Sequence, residues 1–284
     1  MSGLRVVYIH GIHSHPAEAA YRAEWDAALR RLAYVPEIET KMVYWADIRS
    51  GVTAAMVREA KARAKARGAL HRRLPPKSNT PLGYAISFVL HAIDPVIRRV
   101  TKGLLTDVYL YFYGRTGAKD IRDVILDRMD AVMRDFRPDI VIAHSWGSVI
   151  VYDYLMNRGY GGEIEALITA GSPLGQEYIQ AHVGGHAYPD GVRRWLNIFD
   201  AMDPAAWPDR RLANDFAGPR GERLIRDIEV PSLHDEDGHR DAHSWYGYLM
   251  TEPLQNEIFR IAASRNLWPP THLPATASDL GRVG

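Results

Sequence analysis

Short apolar runs and helix-spaced apolar positions alternate along most of this chain. Their order predicts βαβ units, and hence an α/β fold with a mostly parallel central sheet flanked by helices. The first run, Leu4-Arg5-Val6-Val7-Tyr8-Ile9, reads as a strand that ends in a turn at Gly11. From Pro16 to Ala33, the residues Tyr21, Trp25, Ala28, Leu29 and Leu32 share one helical face. Ile38 to Trp45 alternates as a second strand, and the run Asp107 to Phe112 reads as a third. Ile121, Ile125, Met129, Val132 and Phe136 then fall at helical spacing, and Pro138 stops that helix before a strand beginning at Asp139. Ile164 to Thr169, Trp195 to Phe199 and Ile225 to Val230 follow as strands, and Trp245 to Ala262 as a closing helix. The stretch 268–284, rich in Pro, Thr, Ser and Gly, is expected to be a frayed tail.

One stretch breaks the alternation. Residues 48–106 are too many for an ordinary connection, so an inserted helical cap of two helices is expected there. Its first half, Met56 to Lys77, carries Arg58, Lys61, Arg63, Lys65, Arg67, Arg72, Arg73 and Lys77 against the single acid Glu59. Its second half is apolar, with Leu82, Ile86, Phe88, Val89, Leu90 and Ile93, and Pro75-Pro76 separates the two. A basic helix beside an apolar one is suited to peripheral contact with an anionic membrane surface, although a solvated helix face has the same pattern. The apolar half is a candidate lining for a substrate pocket, with Phe88 among its residues, or else part of the core.

Composition narrows the picture. A length of 284 residues suits one domain spanning 1–284. Lys and Arg number 35 against 34 Asp and Glu, so no strong field favours a nucleic-acid partner. The chain has no cysteine, which excludes disulfides, thiolate metal sites and a cysteine nucleophile. The first strand starts close to Met1 with no leader pattern before it, and the longest apolar stretch, Leu82 to Ile97, is interrupted by His91, Asp94 and Pro95. A cytoplasmic location is the expectation.

The chemistry is concentrated around residue 145. Ala143-His144-Ser145-Trp146-Gly147 joins an apolar strand directly to an apolar helix, the pattern of a nucleophile elbow in which a strained turn lifts a serine hydroxyl above the sheet. Ser145 is the candidate nucleophile, and the Trp146 N–H at the helix start is a candidate oxyanion donor. A serine hydroxyl needs a general base and the base needs an orienting acid, expected later in the chain with the acid first. Asp200-Ala201-Met202-Asp203-Pro204 follows one late strand, and a loop holding His234, His239 and His243 follows the next. Asp237, His239, Asp241 and His243 have metal-ligand chemistry, yet they form no complete calcium-loop spacing and no paired His-x-x-x-His helix, so no metal site is expected.

Taken in order, Tyr8-Ile9-His10-Gly11, Ala143-His144-Ser145-Trp146-Gly147-Ser148, Gly171-Ser172-Pro173, Asp203-Pro204 and His243 make the chain resemble the α/β-hydrolase superfamily, and within it the serine esterases and lipases. The resemblance covers most of the chain and departs at Ala143, where the family most often has glycine. It implies an α/β-hydrolase fold with Ser145, Asp203 and His243 as catalytic residues. Asp203-Pro204 is similar to the acid loop of many lipases, while Asp200 stays open as the alternative acid, and His243 directly precedes the helix of Trp245, Tyr248 and Leu249. His10-Gly11 resembles the family's oxyanion turn, which makes Ile12 N–H the second candidate donor and His10, Gly11 and His13 candidate substrate contacts, with His15 nearby. His144 is expected to pack beneath the turn. The implied activity is cofactor-free hydrolysis of a carboxylic ester, on a small acyl ester or a lipid, through an acyl-enzyme. A thioesterase or acyltransferase would keep the same residues, and a non-catalytic binding module would keep the same fold.

Overall fold

A computed structural model describes residues 3–11, 15–31, 38–67, 106–207, 209–216, 218, 224–231, 233–265 and 267. Ile12, His13, Phe88, the apolar half of the expected cap and the stretch 268–284 lie outside the described residues.

Six strands form one sheet in the order β2-β1-β5-β6-β7-β8. They are β1 (Leu4–Ile9), β2 (Ile38–Val43), β5 (Ile140–His144), β6 (Ala166–Ala170), β7 (Trp195–Phe199) and β8 (Ile225–Glu229). Every neighbouring pair in this sheet is parallel. A two-residue hairpin, β3 (Arg115–Thr116) with β4 (Lys119–Asp120), stands apart from it. The central strands are apolar at almost every position because both faces are covered, and successive side chains serve opposite faces. Val7, Ile9, Val141, Ala143 and Leu167 join one buried cluster, whereas Val6, Tyr8, Ile140, Ile142 and Ile168 join the other. The edges differ: β2 carries Glu39 and Lys41, and β8 carries Arg226, Asp227 and Glu229, charges that discourage further strand addition.

Helices complete the two outer layers. On one face, α1 (Glu18–Arg31) buries Tyr21, Trp25, Ala28 and Leu29, the face that the spacing marked out. On the other face pack α2 (Ala46–Ser50), α3 (Ala54–Ala66), α4 (residues 106–113), α5 (Ile121–Phe136) and α6 (Trp146–Asn157). A short helix α7 (Glu177–Gln180) follows β6, and α8 (Trp245–Leu249) and α9 (Glu252–Ser264) close the chain against the α1 side. The described half of the insertion is therefore helical. Arg58, Lys61, Lys65 and Arg67 are exposed on or just beyond α3, while Ala60 and Ala64 are its buried side. Among the described residues, no helix is long and apolar enough to cross a membrane.

Two expectations need correction. Asp107 to Phe112 is not a third strand but the body of α4. Its Val, Tyr and Leu run carries a β preference, yet a short apolar run is ambiguous by itself and tertiary packing decides. Here Asp107, Leu110, Tyr111 and Tyr113 are buried while Tyr109 and Phe112 are partly exposed, a helical rhythm, and the Gly114 N–H closes the last turn on the Leu110 carbonyl at 2.8 Å. The closing helix is likewise two helices. Pro253 has no N–H to continue a helix and sits in the first turn of α9, so the chain breaks at Met250-Thr251 and starts again.

A buried carboxylate ties this face together. Asp153 of α6 is fully buried and accepts from Arg122 Nε (2.7 Å) and Nη2 (2.5 Å), Tyr111 Oη (2.6 Å) and Asn157 Nδ2 (2.7 Å). Tyr111 comes from α4 and Arg122 from α5, so one side chain cross-links three helices behind Ser145. Removing it in Asp153→Ala would strand a buried hydroxyl and a half-buried guanidinium. The expected loss is about 3 kcal/mol of unfolding free energy by urea denaturation, and a loss within experimental error would show the cross-link to be dispensable.

Candidate active site

In a parallel sheet every strand leads its following loop to the same edge. Gly11 follows β1, Ser145 follows β5, Gly171 follows β6, Asp200 follows β7, and the loop after β8 runs on to His243. Side chains distant in sequence are thereby delivered to one place.

Ser145 sits between the last residue of β5 and the first of α6 with φ 54° and ψ −126°. Only one other described non-glycine residue, Arg137, has a positive φ. Such a conformation costs about 1–3 kcal/mol and must be held by its surroundings. The Ser145 N–H remains in register, donating to the Ala170 carbonyl at 2.9 Å, and the Ser145 carbonyl accepts from Ser148 Oγ at 2.6 Å. Because the one Ser148 proton is used there, its 2.7 Å contact with Ser172 Oγ must take the Ser172 proton, and Ser172 Oγ accepts the Leu174 N–H at 3.2 Å. Gly147 lets α6 start against the end of β1: a Cβ there would lie 2.4 Å from the Ile9 carbonyl oxygen. The Trp146 ring is buried in the core, edge-on to Tyr111 at 5.7 Å, so what it leaves at the turn is its backbone N–H at the head of α6.

His243 bridges two groups. Its Nε2 lies 2.9 Å from Ser145 Oγ, and its Nδ1 lies 2.9 Å from Asp203 Oδ1 and 3.0 Å from Oδ2. The His243 side chain is 8 % exposed and Asp203 is fully buried. Asp203 also receives the Ala205 N–H at 2.8 Å and the Tyr248 hydroxyl at 2.7 Å. Gly171 makes the convergence possible. With φ +56°, its backbone comes so close that a Cβ would stand 2.6 Å from Asp203 Oδ2 and 3.2 Å from His243 Nδ1. Burial opposes the charged form of His243, but the adjacent Asp203 carboxylate, through its charge and hydrogen bond, and then Asp241 outweigh it, so His243 is held above its ordinary value of 6.5.

The other candidates take different places. Asp200 is buried and occupied elsewhere: its carboxylate accepts from the Met202 N–H (2.8 Å) and Leu233 N–H (3.3 Å) and pairs with Arg240 (2.9 Å), fastening the β7 and β8 loops together. His234 and His239 are exposed, with His239 beside Asp235 at 3.6 Å. His144 packs under the turn, its ring 4.7 Å from that of His243 and its Nε2 3.1 Å from the His243 carbonyl oxygen. His10, read from the sequence as a substrate contact, is instead part of the scaffold. Nδ1 meets the Gly11 carbonyl at 2.8 Å, Nε2 accepts the Trp45 N–H at 3.1 Å, and the ring is fully buried and stacked on Trp45. Burial first, then the nearby His15, lowers it to about 3, so it is neutral and both nitrogens are committed. His15 stacks on Tyr21 at 4.2 Å. Gly11 does reach the site, since a Cβ on it would be 3.1 Å from Ser145 Oγ.

The sequence alone gave no role to Tyr248, Ser148, Ser172, Trp45 or Arg240, whose side chains contribute only after the loops have met. Among the described residues no group of three or more His, Asp or Glu is arranged to hold a metal ion. A hollow of about 710 Å³ lined by Tyr160, His186 and Tyr188 belongs to the loops entering β6 and β7, at the sheet edge opposite Ser145. Comparison of the chain with protein-family models, curated proteins and solved structures finds no match.

Histidine titration followed by NMR separates the two acids. In the wild type, His243 is expected to lose its proton with a midpoint above 6.5. Asp203→Asn should move that midpoint down, because a neutral amide no longer favours the imidazolium. Asp200→Asn should leave it nearly in place while lowering thermal stability; the reverse pattern would make Asp200 the partner of His243.

Proposed function

We propose that this protein is a serine hydrolase of α/β-hydrolase type that cleaves carboxylic esters through an acyl-enzyme. The observation that carries the reading is the His243 ring, within hydrogen-bond reach of Ser145 Oγ on one nitrogen and of the Asp203 carboxylate on the other. Support also comes from the chain order Ser, Asp, His on loops after β5, β7 and β8 of a parallel sheet, the order this architecture uses. The strained conformation of Ser145 has no structural use that a glycine would not serve better, which favours a role for its hydroxyl.

In this mechanism His243 Nε2 takes the Ser145 proton while Oγ bonds to the ester carbonyl carbon. The carbonyl electrons move onto its oxygen, where the Trp146 N–H at the positive end of α6 faces the new charge. Ile12, outside the described residues, is the proposed second donor. The tetrahedral centre collapses, the C–O bond to the alcohol breaks, and the alcohol leaves with the proton from His243. Water then gives its proton to His243, attacks the acyl carbon and releases the acid, restoring Ser145 Oγ–H. Asp203 stays ionised, holds the tautomer and stabilises the imidazolium of both steps. Acylation requires neutral His243 in the free enzyme, so kcat/KM should rise with pH through a midpoint above 6.5.

A fluorophosphonate probe and an activated ester test the reading together. Wild type should be labelled and hydrolyse the ester. Ser145→Ala should remain folded and unlabelled, with kcat down about a millionfold, and Asp203→Asn should lose about four orders of magnitude. Folded wild type that neither labels nor turns over any ester would overturn the proposal. A matched thioester cleaved with higher kcat/KM than its oxygen ester would move the assignment to a thioesterase.

A further inference from the structure

The hydrogen-bonded series from Ser145 to Asp203 has a group behind it that the acyl-transfer scheme leaves idle. Tyr248, on α8, is 1 % exposed, and its hydroxyl oxygen stands 2.7 Å from Asp203 Oδ2 and 2.9 Å from the backbone nitrogen of Asp200. A backbone N–H can only donate, so the hydroxyl accepts from Asp200. Its own single proton therefore goes to Asp203. The polarity of the bond follows from its two neighbours.

Two consequences follow for Asp203. Its rotation is blocked on several sides: Tyr248 and His243 meet Oδ2, the Ala205 N–H and His243 meet Oδ1, and the Gly171 backbone closes the remaining side. Its negative charge is also divided, because every donor to a carboxylate draws charge away from the others. The Tyr248 hydroxyl and the His243 Nδ1–H compete for the same oxygen.

Resting on the reading of Ser145 as a hydrolase nucleophile, we propose that Tyr248 is a positioning residue for the general base: its hydroxyl clamps the Asp203 carboxylate against His243 and takes up part of the negative charge that His243 faces. Asp200 has a place in the same device. Its carboxylate is committed to Met202, Leu233 and Arg240, and its N–H fixes the Tyr248 hydroxyl. Among the described residues, the other ionisable groups around this cluster include Asp241 behind the His243 backbone, His144 with its ring 5.9 Å from that of Tyr248, and Arg210, whose field reaches Asp203, Asp200 and Tyr248.

The test follows the protonation of His243 directly, by NMR titration of its ring resonances, assigned through their loss in His243→Gln, alongside the pH profile of kcat/KM. Tyr248→Phe removes one donor from Asp203, so the titration midpoint and the acid limb of kcat/KM should both move to higher pH. The plateau kcat should fall roughly ten- to a hundredfold with KM little changed, as expected when a reacting group is less well oriented. A ring-fluorinated tyrosine introduced at position 248 is a stronger donor and should move the midpoint the opposite way. Opposite displacements support the clamp. Coincident midpoints in folded proteins, or lost activity with an unmoved midpoint, would reduce Tyr248 to a packing residue and overturn it. If Tyr248→Phe fails to fold, the fluorinated protein and the wild type decide alone by the same criterion. The NMR midpoint needs no turnover, so opposite displacements in a protein whose Ser145 never labels would overturn the hydrolase reading and leave the clamp standing.

Discussion

An ionised carboxylate with no access to water is among the costlier things a fold can contain, several kcal/mol before compensation. Asp203 is such a group, and much of the architecture around it is what its compensation requires. Its donors come from its own loop (Ala205), from the loop after β8 (His243) and from the helix beyond (Tyr248), with the backbone after β6 pressed against it at Gly171. Segments so far apart along the chain meet at one point only because β6, β7 and β8 run the same way and release their loops at one edge. The Asp200–Arg240 pair keeps two of those loops together. Local geometry at Asp203 and global topology are thus two descriptions of one requirement.

A second requirement meets it from the other side of His243. Ser145 occupies a backbone conformation that an L-residue avoids, and the neighbours that hold it there are polar or small. Ser172 and Ser148 pass a directed hydrogen bond onto its carbonyl, Ala170 accepts its N–H, and Gly11 and Gly147 let the β1 turn and α6 approach without a side chain between. The buried, neutral His10 fastens the β1 turn to Trp45 after β2. The strain is local, and its restraints reach from β2 to β6.

How much of this could be read from the chain varied with the kind of signal. Strands β1 and β5 to β7 were legible because strands buried on both faces need largely apolar runs, and few other elements combine such runs with flanking turns. Asp107 to Phe112 has the same composition but became α4, since its partners, Arg49 and Asp153 among them, arrive from elsewhere and favour helical spacing. The break before α9 did have a local mark in Pro253, which the continuous apolar pattern masked. At the candidate site, motif order pointed to Ser145, Asp203 and His243. Spacing could not separate Asp203 from Asp200, three residues apart in one loop, because the difference lies in which donors each carboxylate meets after folding. Tyr248 and Ser172 were invisible as polar groups for the same reason: in sequence they look like an ordinary helix aromatic and a loop serine.

The left-handed backbone at residue 145 also bears on which alcohols and thiols could ever succeed serine there. A threonine would bring a branched Cβ into a region that branched side chains almost never enter, where the Gly11 backbone comes so near that a Cβ on it would stand 2.6 Å from the Ser145 Cβ. Cysteine adds no branch. Exchange of the side chain at position 145 is therefore open toward a thiol and closed toward a secondary alcohol, a restriction set by chirality before any question of reactivity arises.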